Sequence, residues 1–349
     1  MITEQVRELV RAGSLFARDR PVVVMLSGGR DSTCLLDVAV ALLGGASVSA
    51  LHVNYGLRES SDADAVHCAA LCEQLGVELE VVRTERAAVR RPLSAPLEAV
   101  SSAHEQAPPP PSGNLQAWAR EVRYAEAERV ARERDALIAA GHTASDQVET
   151  ILYRLAASPG RRALLGMVAS EGRLIRPLLT VTREQTAAYC VARGLRWRED
   201  ESNEDERFAR ARVRTTLVPA LRAVHPAAEA SVLRTAALLR EETELLDGLV
   251  SEELAGRSSI ALARLQELPA ALARMIVVRL AEDATGAYVP QAGARVEELI
   301  ALGHRGGSAE LHVGGHASAV IRGGVLEMVE LEPRDARPGQ PGEQPPADH

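Results

Sequence analysis

Ser27, Gly28, Gly29, Arg30, Asp31 and Ser32 form one run between an apolar segment ending at Leu26 and a helix-like stretch from Thr33 to Leu43. Gly28 and Gly29 can take positive φ and carry no Cβ, so successive backbone N–H groups can turn toward a single anion. The helix that follows adds unpaired N–H groups and a partial positive charge, which favour the same anion. Ser27 and Ser32 add hydroxyl donors, and the chemistry these residues serve is phosphate binding. Asp31 repels a phosphate and is better suited to Mg²⁺ or to an incoming cationic group. The run lacks the Gly-Lys-Ser/Thr ending of a Walker loop and the three-glycine spacing of a dinucleotide fold. Its bland alternative is a strand-to-helix turn whose glycines serve geometry alone.

A second group runs from Gly141 through His142, Asp146 and Glu149 to Thr150. Asp146 and Glu149 are three apart, so both lie on one helical face and can hold Mg²⁺ or a substrate ammonium. They can equally cap the helix and offset its dipole. Cys34, Cys68, Cys72 and Cys190 include no Cys-x-x-Cys pair and no accompanying His/Cys pair with ligand spacing, so they read as small buried side chains.

The elements around these groups alternate. Val22 to Leu26 is a short apolar run, largely β-branched, of the kind buried on both faces of a parallel sheet. Val48 to Val53 is a second strand leading into the Asn54 to Arg58 turn, at the strand end where α/β sheets bind ligands. A helix over 60–75, a strand over 78–82, a helix starting at Asn114 and a strand over 135–140 continue the pattern. This predicts an α/β fold with a doubly wound, mostly parallel sheet. Residues 86–113, with Pro108 to Pro111 in a row, read as a mobile insertion. In the helix after Asn114, Leu115, Trp118, Ala119, Val122 and Ala125 recur at helical spacing. Arg120 and Arg123 lie between them, either as a solvated face or as contacts to phosphate or RNA.

After Pro226 the pattern becomes mainly helical, over 228–254, 262–283 and 292–302, and then gives short strands over 310–313, 318–322 and 325–329 with Gly-Gly turns. The expected division is a catalytic domain over 1–225, a smaller, mainly helical accessory domain over 226–332, and a disordered Pro/Gly-rich acidic tail over 333–349. The sequence of the accessory domain identifies no chemistry, and packing or dimerisation is one reading of it, so a homodimer is one expectation.

With 46% hydrophobic and 25% charged residues in 349, the composition is that of a soluble globular protein of about two domains. No apolar run approaches a membrane span and Met1 to Arg20 has no signal-peptide core, so no membrane partner and a cytoplasmic location are expected. The net charge of −8 argues against nucleic acid as a partner, but its distribution does not. Residues 154–225 hold 14 Arg against 8 Asp and Glu, a local +6 on an acidic protein.

The loop, reading Ser-Gly-Gly-x-Asp-Ser, resembles that of the PP-loop (N-type) ATP pyrophosphatase superfamily. An ordered set of further segments resembles one family within it, the tRNA(Ile)-lysidine synthetases. The set comprises His52 to Arg58, Asn114 to Tyr124, Gly141 to Thr150, Gly166-Met167, Arg176 to Leu179, and Glu199 to Asn203 followed by Arg210, Arg212 and Arg214. Four places depart from the family pattern. Tyr55 replaces His, Ser145 the first of two Asp, Ala157-Ser158 an Arg-Gly pair, and Ala211 an Asn.

The resemblance implies ATP and Mg²⁺ as cofactors, and free lysine and a tRNA(Ile) with a CAU anticodon as partners. Ser27, Gly28, Gly29, Arg30, Asp31 and Ser32 would bind ATP, with Asp31 also the Mg²⁺ ligand. Asp31, His142, Asp146 and Glu149 would be catalytic. Asn54, Arg58, Asn114, Arg120, Arg123, Arg176, Asn203, Arg210 and Arg214 would contact tRNA. The implied reaction attaches lysine to C2 of the wobble cytidine through an adenylated intermediate. Rival readings are a PP-loop tRNA thiolase, a small-molecule synthetase using the same loop, and a non-catalytic RNA-binding relative. Residues 226–332 would be the family's first accessory domain, which helps hold tRNA, and a further domain found in longer family members is not expected here.

Overall fold

The structure, a computed structural model, describes residues 1–17, 19–56, 61–84, 115–157, 160–198 and 209–331. The expected insertion and the acidic tail therefore lie outside the described residues. The chain divides into two compact units, Met1–Ala237 and Leu238–His349.

The first unit is built on a six-stranded sheet in the order β3-β2-β1-β4-β6-β5. The strands are β1 (Val22–Met25), β2 (Val48–Asn54), β3 (Glu78–Arg83), β4 (Leu137–Ala139), β5 (Ser170–Glu171) and β6 (Leu174–Ile175). All neighbouring pairs are parallel except β5 with β6. Every residue of β1 is buried, because its alternate side chains feed two different cores. Val22, Val24 and Leu26 pack with α1 (Ile2–Ala12), α2 (Arg30–Leu43), α3 (Ser61–Leu75) and α6 (Arg183–Arg193). Val23 and Met25 face the other way, onto Trp118, Val122 and Val130 of α4 (Leu115–Glu133). Helices on both faces make the sheet doubly wound, as the sequence predicts.

Three helical pieces complete the site's surroundings. α5 (Ala144–Ala157) follows β4 and packs Val148 and Leu152 against Val213 and Val218. α6 begins with a capping box, in which the Thr182 hydroxyl accepts the Gln185 N–H while the Gln185 side chain accepts the Thr182 N–H. The third piece joins α7 (Ala209–Arg212), a π-type turn over Val213–Leu217, and α8 (Val218–Val224). Pro219 near the start of α8 has no N–H to return to the preceding turn, which accounts for the widened turn before it.

The second unit opens with α9 (Ala228–Leu254), within which the boundary falls. It continues through α10 (Leu262–Glu267), α11 (Ala270–Thr285) and α12 (Val296–His304). An antiparallel sheet in the order β7-β10-β9-β8 completes it, formed by β7 (Ser259–Ala261), β8 (Ser308–Gly314), β9 (Ala317–Arg322) and β10 (Val325–Glu330). The helix expected over 262–283 is two helices, interrupted at Pro269, which cannot continue α10. Gly323 and Gly324, both at positive φ, form the two-residue turn between β9 and β10. Ile276, Val277 and Leu280 of α11 share one core with Ile321 and Leu326 of the sheet. Among the described residues, no helix is long and apolar enough to cross a membrane.

Candidate active site

From β1 the chain winds outward through β2 and β3, then returns to place β4 on β1's other side. The crevice beyond the carboxyl ends of β1 and β4 is thus the topological switch point, where open α/β sheets bind ligands. Both chemistry-bearing runs of the sequence arrive there. Residues 27–32 leave β1 and residues 140–143 leave β4, and the two loops touch. A Cβ on Gly141 would lie 3.1 Å from the Ser32 nitrogen and 3.2 Å from the Asp31 carbonyl carbon. Only glycine lets the loops meet this closely.

Gly28 sits at φ +82°, and a Cβ there would meet Cys68 Sγ at 3.3 Å. Gly29 is extended and precedes α2, and no side chain caps that helix. The first N–H groups of α2 are therefore left for an anion. The loop is braced from within. Ser27 and Ser32 hydroxyls are 3.0 Å apart, and Ser32 Oγ also donates to the Gly29 carbonyl at 2.9 Å. From outside, the Arg198 N–H donates to the Gly28 carbonyl.

Asp31, Asp146 and Glu149 come together, and the residue that joins them is Arg183, at the first position of α6. Its Nη2 donates to Asp146 Oδ1 at 2.6 Å, its Nη1 donates to Glu149 Oε1 at 2.9 Å, and its Nε lies 3.8 Å from Asp31 Oδ2. Arg214, carried on the π-type turn, holds Glu149 through both oxygens at 2.8 and 3.0 Å. Asp31 also accepts from Arg30 Nε and from the Thr186 hydroxyl.

The two readings of the acidic pair are both realised in Asp146. Its Oδ2 accepts the N–H and the hydroxyl of Thr143, capping α5, while its Oδ1 faces Arg183. Burial alone would raise the Asp146 carboxyl, but Arg183 and the two Thr143 donors outweigh it and hold it below the usual range. Ser145 accepts the Arg183 N–H at 3.2 Å, so a neutral oxygen braces the start of α6. Gln147 grips the Gly166-Met167 loop through both its amide atoms, at 2.8 and 2.6 Å.

His142 is pushed down to about 4, chiefly by burial; Asp146 opposes this, while Arg176, Arg120 and Arg210 add to it. Its Nδ1 is buried without a hydrogen-bond partner, as is Nε of Arg176. The imidazole is therefore neutral at pH 7. An unfolded chain protonates this histidine near 6.5, and the folded one does not until about 4. Stability is thus expected to fall as pH drops from 6.5 to 4, by up to about 3 kcal/mol. Urea titrations across that window should show a flatter pH dependence in His142→Asn than in the parent. The Asp146 contribution, by contrast, is lost only below the ordinary carboxylate range.

The remaining expected residues are placed unevenly. Arg120 and Arg210 are exposed and have no carboxylate partner among the described residues, and Arg120 stacks over Tyr124 at 4.7 Å. Arg123 is exposed and lies beside Tyr55. Arg176 is buried, donating to the Val168 carbonyl. Asn54 is also buried, its amide engaged by Asp62 and by the Gly56 N–H, so it shapes its own turn. Arg58, Asn114 and Asn203 lie outside the described residues.

Of the departures, Tyr55 donates to the Ala119 carbonyl at 2.8 Å and meets Trp118 edge-on, tying α4 to the end of β2. Ala157 is exposed, and Ala211 is buried in α7. All four cysteines are buried and unpaired; burial pushes Cys68 and Cys72 up to about 12.

A family model described as the PP-loop domain matches residues 1–221. The chain belongs to the PP-loop domain family. The residues matched take in the whole PP-loop crevice, including Arg183 and Arg214. Among curated relatives, a tRNA(Ile)-lysidine synthase of Pseudomonas fluorescens (strain Pf0-1) is 38% identical over 238 residues, covering 66% of this chain and 48% of its own length. Another, from Azoarcus sp. (strain BH72), is 36% identical over 318 residues, covering 88% of this chain and 65% of its own. The PP-loop chain thus spans about half to two thirds of the length of these relatives. A U34-tRNA thiolase from Methanococcus maripaludis, solved with its [4Fe-4S] cluster, shares the fold at a TM-score of 0.53 and 17% identity, covering 68% of this chain and 80% of that one.

Proposed function

We propose that this protein ligates free lysine to C2 of the wobble cytidine of a tRNA(Ile) with a CAU anticodon, converting ATP to AMP and pyrophosphate. The observation that carries this reading is the close approach of the PP-loop to Gly141, in the loop that leads into the Asp146–Glu149 helix, at the switch point. Curated relatives of this chain at 36–38% identity bear the name tRNA(Ile)-lysidine synthase.

The uncapped start of α2 and the glycines of the PP-loop suit the phosphates of ATP. No group of three or more metal-ligating side chains occurs among the described residues. One or two carboxylates completed by phosphate oxygens is the usual manner of Mg²⁺, and Asp31 is the carboxylate placed for it. There the ion would supply charge neutralisation of the phosphates.

In the first step the cytidine O2 attacks the α-phosphorus and pyrophosphate departs, its charge taken up by the backbone N–H groups of residues 30–32 at the uncapped start of α2. In the second, the ε-amine of lysine attacks C2, the C2–O2 bond breaks and AMP leaves, and the amine surrenders a proton. Asp146 and Glu149 are both committed to arginine, so the half-buried, neutral His142, whose Nδ1 has no hydrogen-bond partner, is the proton acceptor left open. Arg120 and Arg210 are exposed cations near His142 and Arg123 is exposed beside Tyr55, and all three are suited to RNA phosphates. The thiolase reading fares worse, because each of the four cysteines is buried and unpaired.

The test is incubation of the purified protein with ATP, Mg²⁺, radiolabelled lysine and a tRNA(Ile) transcript, with a wobble-base variant as control. Label is expected on the RNA only when ATP and that cytidine are both present. AMP release without incorporation would replace lysine by another nucleophile, and no AMP at all would leave an RNA-binding relative.

A further inference from the structure

Arg183 belongs to none of the sequence motifs that mark the site, yet it contacts every carboxylate in it. Three acids and three arginines make up the array. Asp31 comes from α2 and Asp146 and Glu149 from α5, while Arg30, Arg183 and Arg214 come from three separate segments. The contacts are graded. Arg183 is hydrogen-bonded to Asp146 and Glu149 at 2.6 and 2.9 Å, but only near Asp31, at 3.8 Å. Its backbone is fixed independently, by Ser145 Oγ and by the capping box that starts α6. The side chain can therefore leave Asp31 without disturbing the helix that carries it.

We propose that Arg183 is a positioning residue of the reaction: the built-in counter-cation of the Asp31–Asp146–Glu149 array, which aligns the three carboxylates and yields Asp31 to the divalent cation arriving with the nucleotide. This rests on the ATP- and Mg²⁺-dependent part of the proposed function, not on the identity of the nucleophile. Balanced three against three, the array has no net charge to attract a cation before nucleotide binds. With Arg183 removed, it carries an uncompensated −1 in a partly buried site, where one charge at these distances is worth tenfold or more in affinity.

The test reads Mn²⁺ binding by the electron paramagnetic resonance of the free ion, using the full chain without nucleotide. Arg183→Gln is expected to bind Mn²⁺ at least about tenfold more tightly than the parent. Arg183→Lys, which keeps the charge, should resemble the parent, and Arg183→Gln combined with Asp31→Asn should lose the gain. A purely structural role for Arg183 would change thermal stability in these variants but create no metal site. A folded Arg183→Gln protein with unchanged Mn²⁺ affinity, or a gain that survives Asp31→Asn, overturns the proposal.

Should Arg183→Gln not fold, the parent labelled with ¹⁵N-arginine decides instead, its Arg183 Nε signal assigned by its absence from Arg183→Lys. That signal is expected to shift when Mg²⁺ and a non-hydrolysable ATP analogue are added together, and not with the analogue in EDTA. An unmoved signal rejects the assignment. Absence of lysine on the RNA, with these metal results intact, would count against the proposed function and leave the role of Arg183 standing.

Discussion

Asp31→Ala is expected to slow ATP-dependent pyrophosphate release by at least about 10²-fold while barely moving the thermal unfolding midpoint. The side chain is 23% exposed, and its partners Arg30 and Arg183 are themselves partly solvated at 24% and 21%. Truncation leaves no buried cation stranded, because Arg183 keeps both Asp146 and Glu149. What it removes is the only carboxylate on the PP-loop itself, where charge would build up on the departing phosphates in the proposed reaction. Initial rates with tRNA(Ile) and lysine, beside a calorimetric scan of the same preparations, check both halves. Turnover within twofold of the parent would remove Asp31 from the mechanism.

Six residues further along the same helix, Asp37→Ala should do the reverse. Asp37 is 2% exposed and accepts from the Tyr189 hydroxyl at 2.6 Å and from both Nε and Nη2 of Arg193 at 3.0 and 3.1 Å. Arg7 of α1 approaches the same carboxylate at 4.0 Å. Removing it leaves the hydroxyl proton of a fully buried tyrosine without its acceptor, although Arg7 Nε still donates to the oxygen at 3.3 Å, and takes away the carboxylate that ties α1 and α6 to α2. A loss of about 3 kcal/mol is expected, at the low end for a broken buried pair because Arg193 is 42% exposed and can turn to water. Urea unfolding should show a lower midpoint with an unchanged slope, and turnover well below the new midpoint should stay within a fewfold of the parent. A midpoint shift worth under 1 kcal/mol would mean that water replaces the carboxylate without penalty.

These two aspartates mark where the sequence was readable. The strand, turn and helix around Asp31 follow from a β-branched run, two glycines and an apolar helix, and the structure builds them in that order. The helical face shared by Asp146 and Glu149 follows from their spacing. Asp37, by contrast, has no local signal, since its burial is decided by Tyr189 and Arg193, more than 150 positions away. Arg183 was hidden for the same reason.

A partial clue to Arg183 was present. Thr182 and Gln185 have capping-box spacing, which puts Arg183 at the positive end of a helix, where a cation is unfavourable without nearby anions. Asn54 illustrates the opposite case. A polar residue at a strand's carboxyl end reads as a contact for RNA, yet a turn also needs its own hydrogen bonds, and here the amide supplies them. The short β5 and β6 carry too few residues for any periodicity to register.

The order of strands in the first unit has a consequence for how the molecule is made and lost. β1 finds β2 close by in the chain, but its other neighbour, β4, is more than 100 residues distant, with Val22 opposite Leu137. The two walls of the crevice are thus synthesised far apart in time and close only after a long-range, slow pairing. A nucleotide lodged between them would act as a clasp across that remote seam. Its binding would resist the peeling of β4 from β1 more than the fraying of any single helix, and amide exchange in β4 would report the difference first.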